Sequence, residues 1–256
     1  MKKNILIMCA TSGIGYTTAL QLAAKKENLI ILGRNKSSLD KLNSEIKIIC
    51  GYSAESYCLD LCDRVSINNF QTSIDNKNFD LNGIVIITPR PDAGITNFPS
   101  EEYWINLFKV CFVKPLEILS TLMRKIQSRC SIVIVSGITS LQALTNHASP
   151  YSVLRMMWLG QAKCLSNSLG PKGIRVNTIS PGGILTPTMI KNLSKKAKIE
   201  RKKYNEIYLH STDNIPLRKF AEPNQISSVI EFLLSDASDH LTGINIPCDG
   251  GFTQRY

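Results

Sequence analysis

Tyr151 and Arg155 stand four residues apart in the run SPYSVLR, and residues at i and i+4 share one face of a helix. A phenol and a guanidinium so placed can point into one cleft. A fixed cation beside a tyrosine lowers the cost of forming phenolate, and such a tyrosine can pass a proton near neutral pH. Just upstream, the strand-forming run SIVIV ends in a small polar turn, Ser136-Gly137-Ile138-Thr139-Ser140. The hydroxyls of Ser136, Thr139 and Ser140 are candidates to orient an oxygen atom of a reactant. Tyr-x-x-x-Arg also arises by chance on many helices, so the surrounding elements decide what the pair means.

A second constellation opens the chain. The apolar run NILIMCA (4–10) reads as a buried strand, and Ser12-Gly13-Ile14-Gly15 follows it directly. A helical pattern with Ala19, Leu20, Leu22 and Ala23 comes next. Strand, glycine-rich turn and helix together present backbone N–H groups and a helix N-terminus to a phosphate. The next strand, Leu29 to Leu32, ends at Gly33-Arg34-Asn35. In dinucleotide folds this strand end meets the adenosine ribose: an acidic residue would bind the 2′-hydroxyl of NAD, whereas a cation suits a 2′-phosphate. Arg34 therefore predicts NADPH in preference to NADH.

Strands are expected at 4–10, 29–32, 56–59, 83–87, 131–135, 175–179 and 244–248. Helices are expected between them: 37–46, one from about Asp63, 100–127 with Pro115 as a kink, 151–169 and 222–235. The fully apolar Gly83–Ile87 suits the centre of a parallel sheet. This alternation predicts one α/β, doubly wound, Rossmann-type domain over residues 1–256, with a central parallel sheet of about seven strands and helices on both faces. Residues 187–212 differ in character, crowding Lys191, Lys195, Lys196, Lys198, Arg201, Lys202 and Lys203. They read as a solvated helix face or as a lid that meets an anionic substrate.

Composition narrows the class. The 256 residues are 43% hydrophobic, enough for a sizeable core, yet no apolar run reaches the ~18 residues of a membrane span. The eight cysteines form no C-x-x-C pair and the three histidines are dispersed. That pattern predicts no metal site and reduced, mostly buried thiols in a cytoplasmic protein. The net charge of +10 favours anionic partners, but no basic strand interleaved with aromatic residues and no recognition helix points to nucleic acid.

Taken in order, these segments make the chain resemble the short-chain dehydrogenase/reductase family over nearly its whole length. The carrying segments are Ala10-Thr11-Ser12-Gly13-Ile14-Gly15, Gly33-Arg34-Asn35, Asp60-Leu61, Tyr151-x-x-x-Arg155 and Gly173-Ile174-Arg175-Val176-Asn177. To them are added Pro181-Gly182-Gly183-Ile184-Leu185-Thr186 and the closing Leu241-Thr242-Gly243 and Asp249-Gly250-Gly251. The resemblance implies NAD(P) lying across the strand ends. Ser12, Gly13, Ile14 and Gly15 would face its pyrophosphate, Arg34 its ribose phosphate, and Asp60 and Leu61 its adenine. Thr88, Asn177, Pro181, Gly182, Ile184 and Thr186 would hold the nicotinamide side.

The departures from the family pattern are chemical. Its glycine motif begins Thr-Gly, where this chain has Met8-Cys9, and the usual Asn-Asn-Ala-Gly is replaced by Ile87-Thr88-Pro89-Arg90. Of the family tetrad Asn, Ser, Tyr and Lys, only Tyr151 is retained: Cys111 matches the asparagine, Ser136-Gly137 the serine and Arg155 the lysine. The chain resembles a divergent β-ketoacyl-reductase-like branch with Tyr-x-x-x-Arg and an altered tetrad. The resemblance implies a carbonyl reductase in which Tyr151 is the general acid, Arg155 holds the ribose and biases the phenol, and Ser136 or Ser140 supplies a hydroxyl. It also implies a homodimer or homotetramer. A basic face with Arg124, Lys125, Arg129 and Lys172 offers a docking surface to an acidic acyl carrier protein. The competing reading is a dinucleotide-binding sensor or assembly subunit that kept the fold and lost the chemistry.

Overall fold

The structure is a computed structural model, and it describes residues 2–89, 96–127, 129–144 and 149–254. Arg90, singled out above, lies outside the described residues. The chain runs β1 (Asn4–Ile7), α1 (Gly13–Ala24), β2 (Asn28–Gly33), α2 (Lys36–Cys50), β3 (Glu55–Cys58), α3 (Arg64–Asp75) and β4 (Gly83–Ile87). Then follow α4 (Glu101–Phe108), α5 (Lys114–Met123), β5 (Cys130–Val135), α6 (Ser149–Leu169), β6 (Ile174–Pro181) and α7 (Pro187–Glu200). α8 (Tyr204–Thr212), α9 (Pro223–Leu234) and β7 (Asn245–Cys248) complete it. The seven strands form one sheet in the order β3-β2-β1-β4-β5-β6-β7, with every neighbouring pair parallel. The expected architecture is the observed one.

The strands are apolar on both sides because both sides are covered. Successive residues of a strand face opposite ways. Leu6, Ile84, Ile86, Ile132, Ile134 and Val176 accordingly meet Ile67, Phe70, Ile118, Leu122 and Trp158 from α3, α5 and α6. Ile5, Ile7, Val85, Val133 and Ile179 meet Ala19, Leu22, Leu39, Leu42, Ile226 and Ile230 from α1, α2 and α9. Helix starts are capped by short side chains: Asn35 accepts from Ser38 N at 2.8 Å, and Asp63 from Val65 N at 2.9 Å.

The single helix expected over 100–127 is broken differently. Lys109–Val113 forms one π-helical turn between α4 and α5, so the irregularity precedes Pro115, which sits in the first turn of α5. Proline has no N–H to give to the ladder, and Lys114 just before it donates its N–H to Lys109 O in the π-helical register.

Between β6 and α9 the chain makes an excursion through α7 and α8. It has its own small core of Leu193, Ala197, Ile207, Ile215 and Phe220. Its two ends are fastened together: Leu185 N donates to Ala221 O at 2.9 Å, Ala221 N donates to Gly183 O at 3.0 Å, and Ile184 bridges Ala221.

Candidate active site

A cavity of about 440 Å³ opens beyond the C-terminal ends of β4, β5 and β6, where open α/β sheets bind ligands, and its volume is that of a small-molecule site. Thr88 and Pro89 after β4, Ser136 to Thr139 after β5, Pro181 to Ile184 after β6, and Tyr151 and Arg155 on α6 all line it. Leu144, Leu154, Met189, Ile215, Phe220 and Phe252 make most of the remaining wall apolar, with Thr186, Ser211 and Asp249 as its polar members. Of the expected site residues, the fold thus gathers Ile14, Thr88, Ser136, Tyr151, Arg155, Pro181, Gly182, Ile184 and Thr186 around one space.

Tyr151 is 8% exposed and shares its helix face with Arg155, as their spacing requires. The guanidinium turns toward the loop after β5, where its Nη1 donates to the backbone oxygen of Ser136. In return, Ser136 Oγ donates to the Arg155 carbonyl at 3.2 Å. This exchange lays the guanidinium against Gly137. A Cβ at position 137 would come 2.6 Å from Cζ of Arg155, so a side chain there would displace the guanidinium. The guanidinium occupies the volume that Gly137 leaves open.

The three candidate hydroxyls are placed less openly than the sequence suggests. Ser140 is buried and outside the cavity lining; its Oγ donates to Gly137 O at 2.7 Å and meets Ser180 Oγ at 3.1 Å. Ser180 in turn donates to Asn245 Oδ1 at 2.8 Å, so Ser140 belongs to a buried chain of hydroxyls that ties the loop to β6 and β7. Ser136 is engaged with Arg155 as above. Thr139 lines the cavity, but its Oγ is buried without a partner among the described residues.

Cys111 stands in the π-helical turn and is buried. Its thiol donates to Pro89 O at 3.5 Å, and its backbone carbonyl accepts from the indole Nε1 of Trp158 at 3.0 Å. Burial pushes its thiol up to about 11.

The glycine-rich turn lies at the other end of the site. Cys9 holds φ at 54°, the left-handed conformation that glycine favours, so the missing glycine does not change the course of the turn. The tightness is passed on to Gly15, where a Cβ would lie 2.5 Å from Cys9 O and 3.1 Å from Ala10 Cα. Gly13 likewise has φ 53°. Met8 N donates to Val85 O at 2.9 Å and Ala10 N to Leu32 O at 2.8 Å, pinning the turn to β4 and β2. Ser12 at the α1 N-cap makes no side-chain cap bond. A bare helix start, side-chain-free at Gly13 and Gly15, fits the pyrophosphate of a dinucleotide. Arg34 follows β2, is exposed, and has no ion-pair partner among the described residues. Asp60 is half-buried, with Oδ1 accepting from Cys62 N at 2.9 Å, and Leu61 is buried beside it. None of Ser12, Gly13, Gly15, Arg34, Asp60 or Leu61 lines the cavity itself; they lie along the strand ends that lead away from it.

Asn177 corrects an expectation. It is fully buried in β6, its Nδ2 donates to Leu241 O at 2.8 Å, and its Oδ1 accepts from Ile244 N at 3.2 Å. Its amide fastens the approach to β7 and does not face the cavity. The cysteines differ too: Cys58, Cys62 and Cys164 are exposed. All seven basic residues of 191–203 are exposed, with Lys196 and Lys202 paired to Glu200; the excursion meets the cavity through Met189 and Ser211 instead. On the expected docking face, Arg124 pairs with Asp75 at 3.0 Å and Arg129 with Asp239 at 3.2 Å. No group of residues that could hold a metal occurs among the described residues, and no helix there is long and apolar enough to cross a membrane. Sequence reasoning missed Phe220, Phe252, Met189 and Leu144, because no local signal marks a residue that a distant segment brings to a cavity.

Residues 9–253 match the family model described as enoyl-(acyl carrier protein) reductase. The chain is 30% identical to the L-xylulose reductase of Mus musculus over 254 residues, covering 98% of this chain and 96% of that protein. It is also 30% identical to the 3-oxoacyl-(acyl-carrier-protein) reductase of Thermotoga maritima, covering 97% of each. Among solved structures, L-sorbose reductase of Gluconobacter frateurii, in complex with NADPH and L-sorbose, superposes with a TM-score of 0.92 at 20% identity, covering 100% of this chain and 98% of that one. At that identity the likeness concerns the fold.

Proposed function

Since the chain belongs to the short-chain dehydrogenase/reductase family of oxidoreductases, we propose that it reduces a ketone with NADPH, Tyr151 acting as the general acid. The observation that carries this reading is that Tyr151 and Arg155 line one cavity of about 440 Å³ together with Thr88, Ser136 and Pro181 to Ile184 from the strand ends, and with Ile14 from the glycine-rich turn. When bound, the dinucleotide supplies a hydride to the carbonyl carbon. Gly13 and Gly15 make room for its pyrophosphate at the α1 start, Arg34 pairs with a 2′-phosphate, and Thr88 and Pro181 to Thr186 flank its nicotinamide. Tyr151 passes the phenolic proton to the carbonyl oxygen, and the apolar wall excludes water, so that charge developing on that oxygen is felt strongly by the groups around it.

The character of the wall selects among substrates. The similar proteins include reductases named for a sugar and for an acyl-carrier thioester. Leu154, Met189, Ile215, Phe220 and Phe252 form most of the wall away from the strand ends and suit an acyl chain, with Ser211 and Asp249 as the polar residues beside them. We therefore favour a β-ketoacyl thioester. An acidic acyl carrier protein remains part of the proposal, with exposed Lys172 beside Gly173 as its anchor; the pairing of Arg124 and Arg129 with carboxylates reduces what that face offers. A homodimer or homotetramer is supported by Ile105, Val113, Val153 and Met156, exposed apolar residues of α4, the π-helical turn and α6.

The test is loss of reduced-nicotinamide absorbance when the purified protein meets NADPH with an acetoacetyl thioester or with L-xylulose. Turnover of the thioester in preference to the sugar supports the reading. Tight NADPH binding with no turnover of either supports a second reading, a sensor or assembly subunit, which the occupied carbonyl of Cys111 and the engaged hydroxyls of Ser136 and Ser140 favour.

A further inference from the structure

We propose that the Arg155 guanidinium, lodged in the volume that a side chain at position 137 would fill, is the donor that polarises the carbonyl oxygen of the substrate, facing the Tyr151 hydroxyl. The proposal rests on the reductase reading above and assigns Arg155 a place the sequence pattern does not: at the oxygen of the reacting ketone, not at the ribose of the cofactor.

Three observations carry it. First, the guanidinium is drawn to the loop after β5 by the Ser136 carbonyl and lies over Gly137, where a Cβ would sit 2.6 Å from its Cζ. Gly137, Arg155 and Tyr151 all line the one cavity. Second, two of the three hydroxyls of the loop are already engaged. Ser136 Oγ bonds the Arg155 carbonyl and Ser140 Oγ bonds Gly137 O and Ser180, while Thr139 lines the cavity with its Oγ buried and without a partner among the described residues. Third, the chemistry fits. Arginine presents five N–H donors in a rigid planar fork, and bonding to Ser136 O holds that fork against the loop. A fixed cation against an apolar wall acts on a developing oxyanion far more strongly than it would in water.

The electron and proton count closes. The carbonyl carbon gains a hydride from NADPH, and the C=O π pair moves onto oxygen. That oxygen takes the phenolic proton of Tyr151, and solvent returns a proton to the phenolate. Arg155 keeps every proton throughout, as its pKa above ~12 requires, and stabilises the oxygen only through hydrogen bonds and charge. The products are a secondary alcohol and NADP.

Substitutions at Arg155 separate this role from that of a ribose-holding cation. Lysine keeps a charge on α6 but lacks the fork that reaches across Gly137. R155K and R155A are each expected to lower kcat by ~10²–10³, the usual effect of deleting one oxyanion donor, while the NADPH dissociation constant, read by fluorescence titration, changes less than about threefold. Guanidinium ion in the millimolar range restores part of the rate of R155A and none of that of Y151F. R155K turning over at half the wild-type rate or better overturns the proposal, and so does a loss that resides in NADPH affinity.

Lodging is tested without turnover. G137A lowers the melting temperature more when Arg155 is present, where the guanidinium must give up its bond to Ser136 O, than in the R155A background. An equal effect of G137A in both backgrounds overturns the placement. If the wild-type protein turns over no ketone at all, the reductase reading and this inference fall together. If it turns over normally and R155K does too, this inference falls and the reductase reading stands.

Discussion

The indole nitrogen of Trp158 donates a 3.0 Å hydrogen bond to the backbone carbonyl of Cys111, joining the middle of α6 to the π-helical turn between α4 and α5. Such turns interrupt the ordinary i to i−4 ladder and often mark functional sites. Here the carbonyl they leave available is taken by a side chain that is itself 2% exposed. Trp158 thus closes the side of the cavity behind Tyr151, and it does so from one helical turn beyond Arg155.

Replacing Trp158 with Phe keeps most of the ring contacts and removes the donor. The Cys111 carbonyl then stays buried without its partner, which costs about 1–3 kcal/mol. For a domain of this size the expected fall in melting temperature is roughly 2–10 °C, read by circular dichroism. An unchanged melting temperature would mean that water reaches the carbonyl in place of the indole.

Tyr151→Phe deletes the proposed proton donor and keeps the packing of a residue that is 8% exposed. General acid catalysis contributes ~10²–10⁴ in rate, so kcat for ketone reduction should fall by that range with NADPH affinity unchanged. Steady-state rates and a fluorescence titration on the same preparation check it; a variant that retains wild-type kcat removes Tyr151 from the mechanism.

Arg34→Ala should cost the protein its discrimination between the two dinucleotides. A hydrogen bond to a charged group contributes about 1.5–3 kcal/mol, corresponding to a loss of ~10–100-fold in NADPH affinity. NADH, which has no 2′-phosphate, should bind about as before. Equal weakening of both cofactors would show that Arg34 acts on the turn and not on the phosphate.

Stability should decline on the alkaline side. Burial raises the thiols of Cys9, Cys111 and Cys248 to about 11 and that of Cys130 to about 12, from an ordinary value of 9.0. The folded protein therefore keeps protons that the unfolded chain releases above pH 9. This contribution is fully present below that pH and is lost progressively as pH rises toward the folded-state values. The urea midpoint should fall between about pH 9 and pH 11, and the fall should shrink in Cys130→Ala, which removes one of the four thiols. A midpoint flat across that window contradicts the burial assigned to these groups.

The fold was legible because its signals are local and repeat. Gly83–Ile87 is apolar throughout because helices cover both faces of β4, and the glycine-rich turn after β1 predicts the start of α1. The break between α4 and α5 was not legible at its true position. Pro115 is a visible signal, but a π-helical turn over Lys109–Val113 depends on how that segment packs under Trp158, which lies far away in sequence. The Tyr151 and Arg155 pair shows the same boundary. The spacing of Tyr151 and Arg155 fixed their common helix face, yet the direction of the guanidinium depends on χ angles that spacing leaves open. Gly137 held the missing information: a glycine at the serine position of the pattern leaves a volume, and the arginine is the nearest side chain long enough to fill it. Asn177 marks the opposite case, a residue that matches a motif by position while its amide is consumed by Leu241 and Ile244.

The fastening of Gly183, Ile184 and Leu185 to Ala221 has a consequence for descent. The excursion through α7 and α8 leaves the sheet and returns to it at one point, so its interior can lengthen, shorten or be exchanged while the two anchor strands stay where they are. Doubling the length of such a closed segment costs only ~0.6 kcal/mol of closure entropy. Met189, Ser211 and Ile215 reach the cavity from inside this interchangeable piece, whereas Tyr151, Arg155 and the glycine turn are anchored to the sheet and α6. A lineage built this way can replace the part that selects a substrate without disturbing the part that transforms it.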